Sequence, residues 1–257
     1  MLVDSHCHLD RLDLSPFNGN LDEALLSARN SGVEEYLCVA INKENQQAVI
    51  QLAEQYESVY ASAGIHPLNT EGQDADVEYL YEISKHPKVV AIGETGLDYY
   101  YAKDTATKQK SLFHTHIQAA VKADLPLIIH TRDAREDTLR ILKEEGAERV
   151  GGVLHCFTES LEMAITAIEM GFYISFSGIV TFRNAESLRD VARQVPLERI
   201  LVETDSPYLT PAPHRGKPNS PRHVVDVARC LSELRGLDFD EFCAQTTRNY
   251  KKLFFNK

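Results

Sequence analysis

The sequence predicts a (β/α)₈ barrel, and three observations support this fold class. Eight short apolar runs alternate with helical patterns along the whole chain, which is the order of elements in a parallel α/β protein. The chain has 257 residues, close to the ~250 residues typical of one such barrel. Polar residues with reactive side chains follow several of the runs, as they do at the mouth of a barrel. We therefore expect a single barrel domain over residues 1–257, without a linker.

The apolar runs predict the eight strands. Several of them, such as the run that includes Leu127 and Ile129, are apolar at consecutive positions, as expected for parallel strands that are covered on both faces. In chain order, the predicted strands are Leu2-Val3, Tyr36 to Ala40, Val59 to Ile65, Val89 to Ile92, Leu125 to Ile129, Val150 to Leu154, Phe172 to Phe176 and Ile200 to Val202.

Between the strands, apolar residues recur with the 3.6-residue period of a helix. Asn20 followed by Glu23 predicts the start of the first helix, because the Asn can cap it and the Glu can return a hydrogen bond. Two more helices are expected after the last strand, one around Val224 to Leu231 and one from about Asp240 to Leu253. The other clear patterns are Leu21, Ala24, Leu25 and Ala28, then Val49, Leu52, Ala53 and Tyr56, then Leu188, Val191, Ala192 and Val195.

The segment from Pro211 to Pro221 contains four prolines and Gly216. This composition predicts an irregular loop directly after the eighth strand.

A doubly wound open sheet is the alternative architecture, because alternation of strands and helices does not by itself show that a sheet closes. An open sheet concentrates its site at one switch point, whereas a barrel brings the ends of all its strands to one mouth. The count of eight runs and the spread of polar residues over the ends of many of them favour the barrel.

Composition and charge exclude several classes of protein. Hydrophobic residues make up 43% of the chain and charged residues 25%, as in ordinary globular proteins. The net charge of −11 argues against a general nucleic-acid-binding module, although a site that holds divalent cations attracts phosphate locally. Neither a signal peptide nor an apolar run of the ~20 residues that cross a bilayer is present. With five scattered cysteines and no C-x-x-C pair, we expect a cytoplasmic protein without membrane association.

Histidines and carboxylates follow five of the predicted strands. His6 and His8 lie two positions apart at the end of the first strand, so that both side chains point to the same face. Beside an apolar core such groups lose hydration, and coordination to cations compensates for this loss. The other members of the set, after the fourth, fifth, sixth and eighth runs, are Glu94, His130, His155 and Asp205.

Six ligands are too many for one tetrahedral site, so the residues predict two divalent cations ~3.5–4 Å apart with Glu94 as the bridging ligand. Imidazole and carboxylate suit zinc, manganese, cobalt, nickel or iron, and carboxylate-rich surroundings also admit magnesium. The alternative is a hydrogen-bonded polar cluster without metal. Motifs for a dinucleotide, a P-loop or a serine nucleophile do not occur in the sequence.

Several motifs, in one order over nearly the whole chain, resemble the TatD family of metal-dependent hydrolases, in particular its YcfH-like branch. The sequence departs from the family pattern at His116, where many relatives carry Gln. The motifs are DSHCHLD at 4–10, GIHP at 64–67, GETGLDYYY at 93–101, LIIHTRDA at 127–134, GVLHCF at 152–157, FYISFSGIVTFRNA at 172–185, ETDSPYL at 203–209 and PHRGK at 213–217.

The resemblance implies a TIM barrel that acts as a deoxyribonuclease at the ends of single-stranded DNA, or of RNA. Some family members instead hydrolyse ester bonds of aminoacyl-tRNA, so a metal-dependent esterase or amidohydrolase is the alternative, and a metal-binding barrel without activity is the second. The resemblance implies a first cation held by His6, His8, Glu94 and Asp205, and a second held by Glu94, His130 and His155.

Asp205 and Glu94 are the predicted catalytic residues, and Asp205 can accept a proton from the attacking water. Glu203 is expected either to orient the metal ligands or to pair with a buried basic residue. Tyrosines of the loops at 99, 100 and 208 could stack on bases. Guanidinium groups suit phosphate oxygens, and the substrate contacts that we expect are His66, Arg132, Arg183 and Arg215, with Glu203 as a further candidate.

Overall fold

The eight predicted strands form one parallel sheet in a computed structural model that describes residues 1–255. Each strand pairs with the next one along the chain, so the order in the sheet is the order in the sequence. The boundaries differ from the predicted ones by a few residues at some ends. The strands are β1 (Leu2–Cys7), β2 (Val33–Cys38), β3 (Val59–Ala63), β4 (Val89–Asp98), β5 (Leu127–Arg132), β6 (Gly152–Leu154), β7 (Phe172–Phe176) and β8 (Ile200–Val202).

The first and last strands meet and bring the two edges of the sheet together. The backbone N–H of Asp205 donates to the carbonyl of His6 at 2.9 Å, and the N–H of His8 donates to the carbonyl of Ser206 at 2.8 Å. A doubly wound sheet would reverse its strand order at a switch point, whereas this sheet runs in sequence order from β1 to β8. The predicted barrel is therefore confirmed, and the open sheet is excluded.

The helices cover the outside of the barrel. Asn20 accepts a hydrogen bond from the N–H of Asp22 and caps the first helix as predicted, but the prediction for Glu23 is wrong, because its carboxylate accepts from the Asn18 side chain instead. Within residues 1–255 the helices are α1 (Leu21–Asn30), α2 (Lys43–Gln55), α3 (Val77–Ser84), α4 (Ala106–Ala123), α5 (Arg135–Glu144), α6 (Leu161–Glu169), α7 (Glu186–Gln194), α8 (Val224–Arg235) and α9 (Phe239–Phe254).

Buried apolar side chains fill the interior of the barrel, and α9 closes one of its ends. Leu37, Ile128 and Leu201, from three different strands, pack in one cluster with Tyr250 and Phe254 of α9. The alternate strand residues face outward and pack under the helices. Because α9 covers the end where the strands begin, the carboxyl ends of the strands form the open mouth, where barrel enzymes place their active sites.

Near the candidate ligands, β4 and β1 each contain one extra residue relative to a neighbouring strand. Between Ile92 and Thr95, β4 advances three positions while β5 advances two. Ile92 packs in the outer layer, so strict alternation would also direct Glu94 outward. The extra residue reverses the alternation and turns the Glu94 side chain toward the mouth. β1 shows the same irregularity between Asp4 and Cys7, next to His6.

β4 and β5 are longer at their carboxyl ends than the sequence predicts. Glu94 lies in the middle of β4, which continues to Asp98, and His130 lies within β5, which continues to Arg132. The expectation that these two residues follow the ends of their strands is therefore wrong, although both lie near the mouth. The pairing of β4 with β5 continues past the apolar part of both strands, as far as Asp98 and Arg132.

No helix in the described part of the chain is long and apolar enough to span a membrane. The segment from Pro211 to Pro221 is irregular up to a single 3-10 turn at Pro221–His223, as predicted. All five cysteines, each within residues 1–255, are free.

Candidate metal centre

The Glu94 carboxylate lies at the centre of a group of histidines. Its Oε2 atom is 3.4 Å from His6 Nε2. Its Oε1 atom is 2.7 Å from His155 Nε2 and 3.4 Å from His130 Nδ1. The two oxygens of one carboxylate therefore face different histidines, which is the arrangement expected of a bridging ligand.

Asp205 lies on the His6 side of the same group. Its Oδ1 atom is 3.3 Å from His8 Nε2 and 3.7 Å from His6 Nε2. The side chains of His6, His8 and Asp205 are close enough to hold one cation. All six residues that the sequence singles out as ligands thus converge at the mouth, although they come from five separate parts of the chain.

Two of the histidines are oriented by hydrogen bonds from the ring nitrogen that faces away from the centre. The Nδ1 atom of His8 lies 3.1 Å from the carbonyl of Val39, and the Nε2 atom of His130 lies 3.1 Å from Asp98 Oδ2. Both partners are acceptors, so these nitrogens carry the proton. The inward nitrogen of each ring then presents a lone pair, as in histidines that bind metal ions.

Glu203 orients His155 in the same way from beneath the centre. Its Oε1 atom accepts from His155 Nδ1 at 3.2 Å and from the backbone N–H of Cys156 at 2.8 Å. Glu203 is fully buried. Of the two expectations for this residue, the structure therefore supports orientation of the ligands rather than an ion pair with a buried lysine or arginine.

His66 has the opposite arrangement. Its Nε2 atom lies 3.2 Å from Glu94 Oε1, which places it beside His130. Its Nδ1 atom, however, accepts a hydrogen bond from the backbone N–H of Leu68 at 3.1 Å. In the neutral ring the proton is therefore on Nε2, and this nitrogen faces the Glu94 carboxylate. His66, Glu94 and His130 are also close enough together to hold a cation.

Buried nitrogen atoms at the centre provide a test of whether a metal ion fits. Both ring nitrogens of His6 and the Nε2 atom of His155 are buried and make no hydrogen bond of acceptable geometry among residues 1–255, although His6 Nε2 and His155 Nε2 face the Glu94 carboxylate. Unpaired polar atoms of this kind are costly in a protein interior. A cation would coordinate the inward nitrogens and remove this cost, so the residues fit a metal site.

Electrostatics keep the carboxylates of the centre ionised. Burial alone would raise the pKa of Glu94, but His155, His66 and His6 hold this pKa well below its ordinary value. Burial likewise opposes ionisation of Asp205, while the hydrogen bond with His8 and the charge on His6 lower its pKa. The buried Glu94 and the partly exposed Asp205 are two anions among imidazoles, which form a natural binding site for divalent cations.

The backbone is strained at Asp205 and at Cys156. Their φ angles are 53° and 44°, in the left-handed region that is unfavourable for residues other than glycine. Strained residues of this kind cluster at functional sites. Asp205 follows β8 and Cys156 follows His155, so the strain lies next to the candidate ligands.

The centre forms the floor of a cavity of about 800 Å³. Of the predicted substrate contacts, His66 and Arg132 line this cavity. Arg183 and Arg215 do not belong to its lining within residues 1–255; the Arg215 guanidinium instead covers the Phe182 ring at 3.9 Å and donates to the carbonyl of Thr210. The residues that line the mouth around the ligands include Tyr101, Ile179, Tyr208 and Leu209.

Reasoning from the sequence missed Asp98 and Tyr101. Asp98 is buried and contacts the outer nitrogen of His130. The signal that could have found it is the spacing from Glu94 to Asp98, since two carboxylates four positions apart on one strand point to the same side. Tyr101 follows two other tyrosines and lines the cavity. In the sequence, its place in the loop after the fourth strand is the signal for this position.

Comparison with known proteins agrees with this geometry. The sequence model of the family described as "TatD related DNase" matches residues 3–255. The chain is 51% identical to the uncharacterized metal-dependent hydrolase YcfH of Escherichia coli K12, over 98% of this chain and 95% of the relative. It is 43% identical to the uncharacterized metal-dependent hydrolase YabD of Bacillus subtilis, over 99% of each chain.

A solved structure shows the same architecture. The crystal structure of the TatD homologue YjjV from Escherichia coli superimposes with a TM-score of 0.91 at 33% identity, covering 98% of this chain and 97% of the other. The family match, the sequence relatives and this fold agree with one another. The chain belongs to the TatD family of metal-dependent hydrolases.

Proposed function

We propose that this protein is a deoxyribonuclease that uses two divalent cations to release nucleotides from the ends of single-stranded DNA. The observation that supports the proposal best is the position of Glu94, whose Oε2 atom faces His6 while its Oε1 atom faces His130 and His155. A bridged pair of cations is the arrangement that many phosphodiesterases use.

Two groups of residues would hold the cations. The first would use His6, His8 and Asp205, the second His130 and His155, and Glu94 would belong to both. When bound, such cations act as Lewis acids, stabilise charge on a phosphate and lower the pKa of a coordinated water. Their charge would also give an otherwise acidic protein, with a net charge of −11, a local attraction for DNA.

Asp205 is the proposed proton acceptor. Its carboxylate is ionised, because the hydrogen bond with His8 offsets the effect of burial on its pKa. It also lines the cavity, so that a substrate and a water molecule can reach it. An ionised carboxylate that a bound water can reach would meet the requirements of a general base.

His66 and Arg132 are the proposed phosphate contacts. The Nδ1 atom of His66 is occupied as an acceptor for Leu68, and its Nε2–H group faces Glu94 Oε1 at 3.2 Å. This N–H group would donate to a phosphate oxygen when the Glu94 carboxylate is engaged by the cations. Arg132 lines the same cavity and supplies several N–H donors in a plane. Both residues bind and orient the substrate without belonging to the metal ligands.

Hydrolysis assays with defined metals test the proposal. Protein stripped with a chelator is supplied with one cation at a time and incubated with end-labelled single-stranded DNA, with RNA, with aminoacyl-tRNA and with simple phosphoesters. We expect nucleotide release from DNA only after a cation is added. Release of the aminoacyl group without nucleotide release would favour the alternative, a metal-dependent esterase.

Substitutions at the centre complete this test. We expect Glu94→Gln and Asp205→Asn to lower kcat by at least about a thousandfold, because the protein loses a ligand or its general base. The control is Glu82→Gln, an exposed carboxylate of α3 that pairs with Lys85. Circular dichroism spectra should be the same for all variants. Full activity in either variant of the centre would contradict the proposed catalytic site.

A further inference from the structure

Two adjacent tyrosines beside the mouth expose most of their surface. Tyr100 is 60% exposed and Tyr101 is 63% exposed, whereas large aromatic side chains are usually buried to a greater extent. Their rings pack edge to face, with centroids 4.7 Å apart. The guanidinium carbon of Arg132 lies 4.4 Å from the Tyr100 centroid and 4.6 Å from the Tyr101 centroid. We call these three residues the Tyr-Arg platform.

The backbone beneath the platform is held firmly. The N–H of Tyr101 donates to Asp98 Oδ1 at 2.8 Å, and the N–H of Tyr99 donates to the carbonyl of Arg132 at 2.9 Å. The buried side chain of Gln109 accepts from the N–H of Asp98 and donates to the carbonyl of Ala102. Exposed rings on a fixed backbone can bind a ligand with little loss of conformational entropy.

Asp98 connects the platform directly to the metal centre. One of its oxygens accepts from the backbone of Tyr101, and the other contacts the Nε2 atom of His130. Tyr101, Arg132 and His130 also line the same cavity. A ligand on the platform would therefore lie next to any group that is bound at the centre.

We propose that the Tyr-Arg platform is a subsite for one unpaired nucleobase, the base that neighbours the phosphodiester to be cleaved. This assignment rests on the proposed deoxyribonuclease function. Because the Tyr100 and Tyr101 rings are perpendicular, at 88°, a base would stack on the Tyr101 ring, which lines the cavity next to the Arg132 guanidinium, as bases of single-stranded DNA stack on aromatic side chains. The N–H edges of the same guanidinium remain available for the adjacent phosphate.

The chemistry of the platform favours a base over other ligands. Among residues 1–255 Arg132 forms no ion pair within 4 Å, and its charge helps to lower the pKa of the nearby Asp98. Its N–H groups would add charge-assisted hydrogen bonds to a ligand that carries phosphate. Stacking uses the flat face of a base, which is accessible in a single strand and covered by neighbouring pairs inside a duplex. The platform thus gives a physical reason for selection of single-stranded DNA, independent of base identity.

The test uses short single-stranded DNA in which one residue lacks its base. An abasic tetrahydrofuran residue is placed in turn on either side of the cleaved bond, and kcat/KM is compared with that of the intact strand. For the wild-type protein we expect a loss of about tenfold or more at one of the two positions, the loss expected for one stacked base. In Tyr101→Leu the intact strand should lose a similar factor, whereas the abasic strand should be cleaved as by the wild type.

The control variant is Tyr81→Leu, which changes a tyrosine of α3 that contacts Lys122 and lies outside the lining of the cavity. It should leave both rates unchanged. Equal hydrolysis of intact and abasic strands by the wild-type protein would overturn the subsite and leave the nuclease function in place. An equal fall in kcat/KM for the intact and the abasic strand in Tyr101→Leu would have the same meaning. Absence of DNA hydrolysis with every cation would overturn both proposals.

A measurement without turnover gives a second readout. Single-stranded DNA that carries 2-aminopurine at the sensitive position and non-hydrolysable linkages is added to the protein with the activating cation present. Stacking on the platform should quench the fluorescence with the wild-type protein and with Tyr81→Leu, and quenching should be reduced at least about fivefold in Tyr101→Leu. Equal quenching by Tyr101→Leu would overturn the assignment.

Discussion

The histidines of the candidate centre differ in what their second ring nitrogen does, and this difference distinguishes the proposed ligands His8 and His130 from the proposed substrate contact His66. In His8 and His130 the outer nitrogen donates to an acceptor, so that the inner nitrogen is free to coordinate. In His66 the outer nitrogen accepts from a backbone N–H. The residue type alone therefore does not predict the role, because the role depends on a hydrogen bond that only the folded chain provides.

Glu203 gives a first prediction. Because it accepts from His155 Nδ1 and from the N–H of Cys156, Glu203→Gln should disturb the orientation and the basicity of His155. We expect the affinity for the activating cation to fall about 10- to 100-fold, as for other residues that support metal ligands. The cation is titrated into metal-free protein, and calorimetry and recovered activity each give the change in affinity.

The exposed Glu82→Gln variant serves again as the control for Glu203. If Glu203→Gln binds the cation as tightly as the wild-type protein does, its contact with His155 has no part in holding the metal.

His116 of α4 gives a prediction about pH. Its Nε2 atom accepts from the N–H of Ile65 at 2.9 Å, and its Nδ1 atom donates to the carbonyl of Leu112 at 2.6 Å. Burial lowers the pKa of His116 from 6.5 to about 4. The unfolded chain therefore binds a proton in a pH range where the folded protein does not, and the folded protein loses stability as the pH falls from about 6.5 toward about 4.

His116→Gln should remove this contribution, because an amide can also accept and donate but does not titrate. Between about pH 7 and pH 5 the wild-type protein should lose roughly 2 kcal/mol more unfolding free energy than the variant does. Denaturant unfolding of both metal-free proteins at the two pH values measures the difference. Parallel pH dependences would show that His116 does not titrate as described.

The six ligand candidates could be predicted from the sequence because each follows an apolar run, and residues at the ends of parallel strands meet at one mouth. Asp98 could not, because its role depends on β4 continuing beyond Glu94. The positions of Arg183 and Arg215 also could not be predicted, because they depend on the course of irregular loops. Loop geometry is determined by tertiary contacts rather than by a repeating pattern.

Among the elements, the contact between β4 and β5 is the closest to the centre. Gly96 pairs with His130, and its φ angle is 133°. A Cβ atom added to Gly96 would lie 2.0 Å from the carbonyl oxygen of His130. The two strands can approach each other only because this residue has no side chain, and the approach positions the imidazole of His130.

Gly96→Ala should therefore affect both stability and activity. We expect a loss of unfolding free energy of about 1–3 kcal/mol from the overlap, and a fall in kcat/KM because His130 moves with its backbone. The matched control is Gly216→Ala, which also has a positive φ angle of 83° but whose Cβ atom would meet no described atom within 4 Å. An unchanged kcat/KM in Gly96→Ala would show that the centre tolerates a shift of β5.

The order and type of the strands and helices could be predicted because their apolar periods differ and because the barrel covers both faces of each strand. The extra residue that turns Glu94 inward could not. Nothing in the local sequence distinguishes an extra residue in β4 from regular alternation, since the irregularity is defined only against the register of β5. The overall fold was therefore more predictable than the direction of the central ligand.

In the molecule as a whole, stability and chemistry lie at opposite ends of the barrel. Phe254 and Tyr250 of α9 are buried against the interior cluster at the end where the strands begin. Asn249 adds hydrogen bonds from its side chain to the carbonyls of Leu197 and Ile200. Substitutions at this end should therefore lower the free energy of unfolding and leave turnover unchanged.

Phe254→Ala tests this separation. The variant should lose about 3–5 kcal/mol of unfolding free energy, because a large buried ring is replaced by a cavity, while kcat/KM of the folded protein stays the same. Phe255→Ala is the matched control, because Phe255 is 36% exposed and its removal should cost much less. A large fall in kcat/KM for Phe254→Ala at a temperature where it is folded would show that the two ends are coupled.

The pairing of β1 with β8 has a consequence for biosynthesis. The ligand candidates begin at His6 and end at Asp205, so all eight strands must be translated before the last of them exists. A nascent or prematurely terminated polypeptide that stops before Asp205 lacks the proposed general base. Translation products that stop before Asp205 would thus be harmless to DNA, since the proposed activity requires a chain that extends through β8 to Asp205.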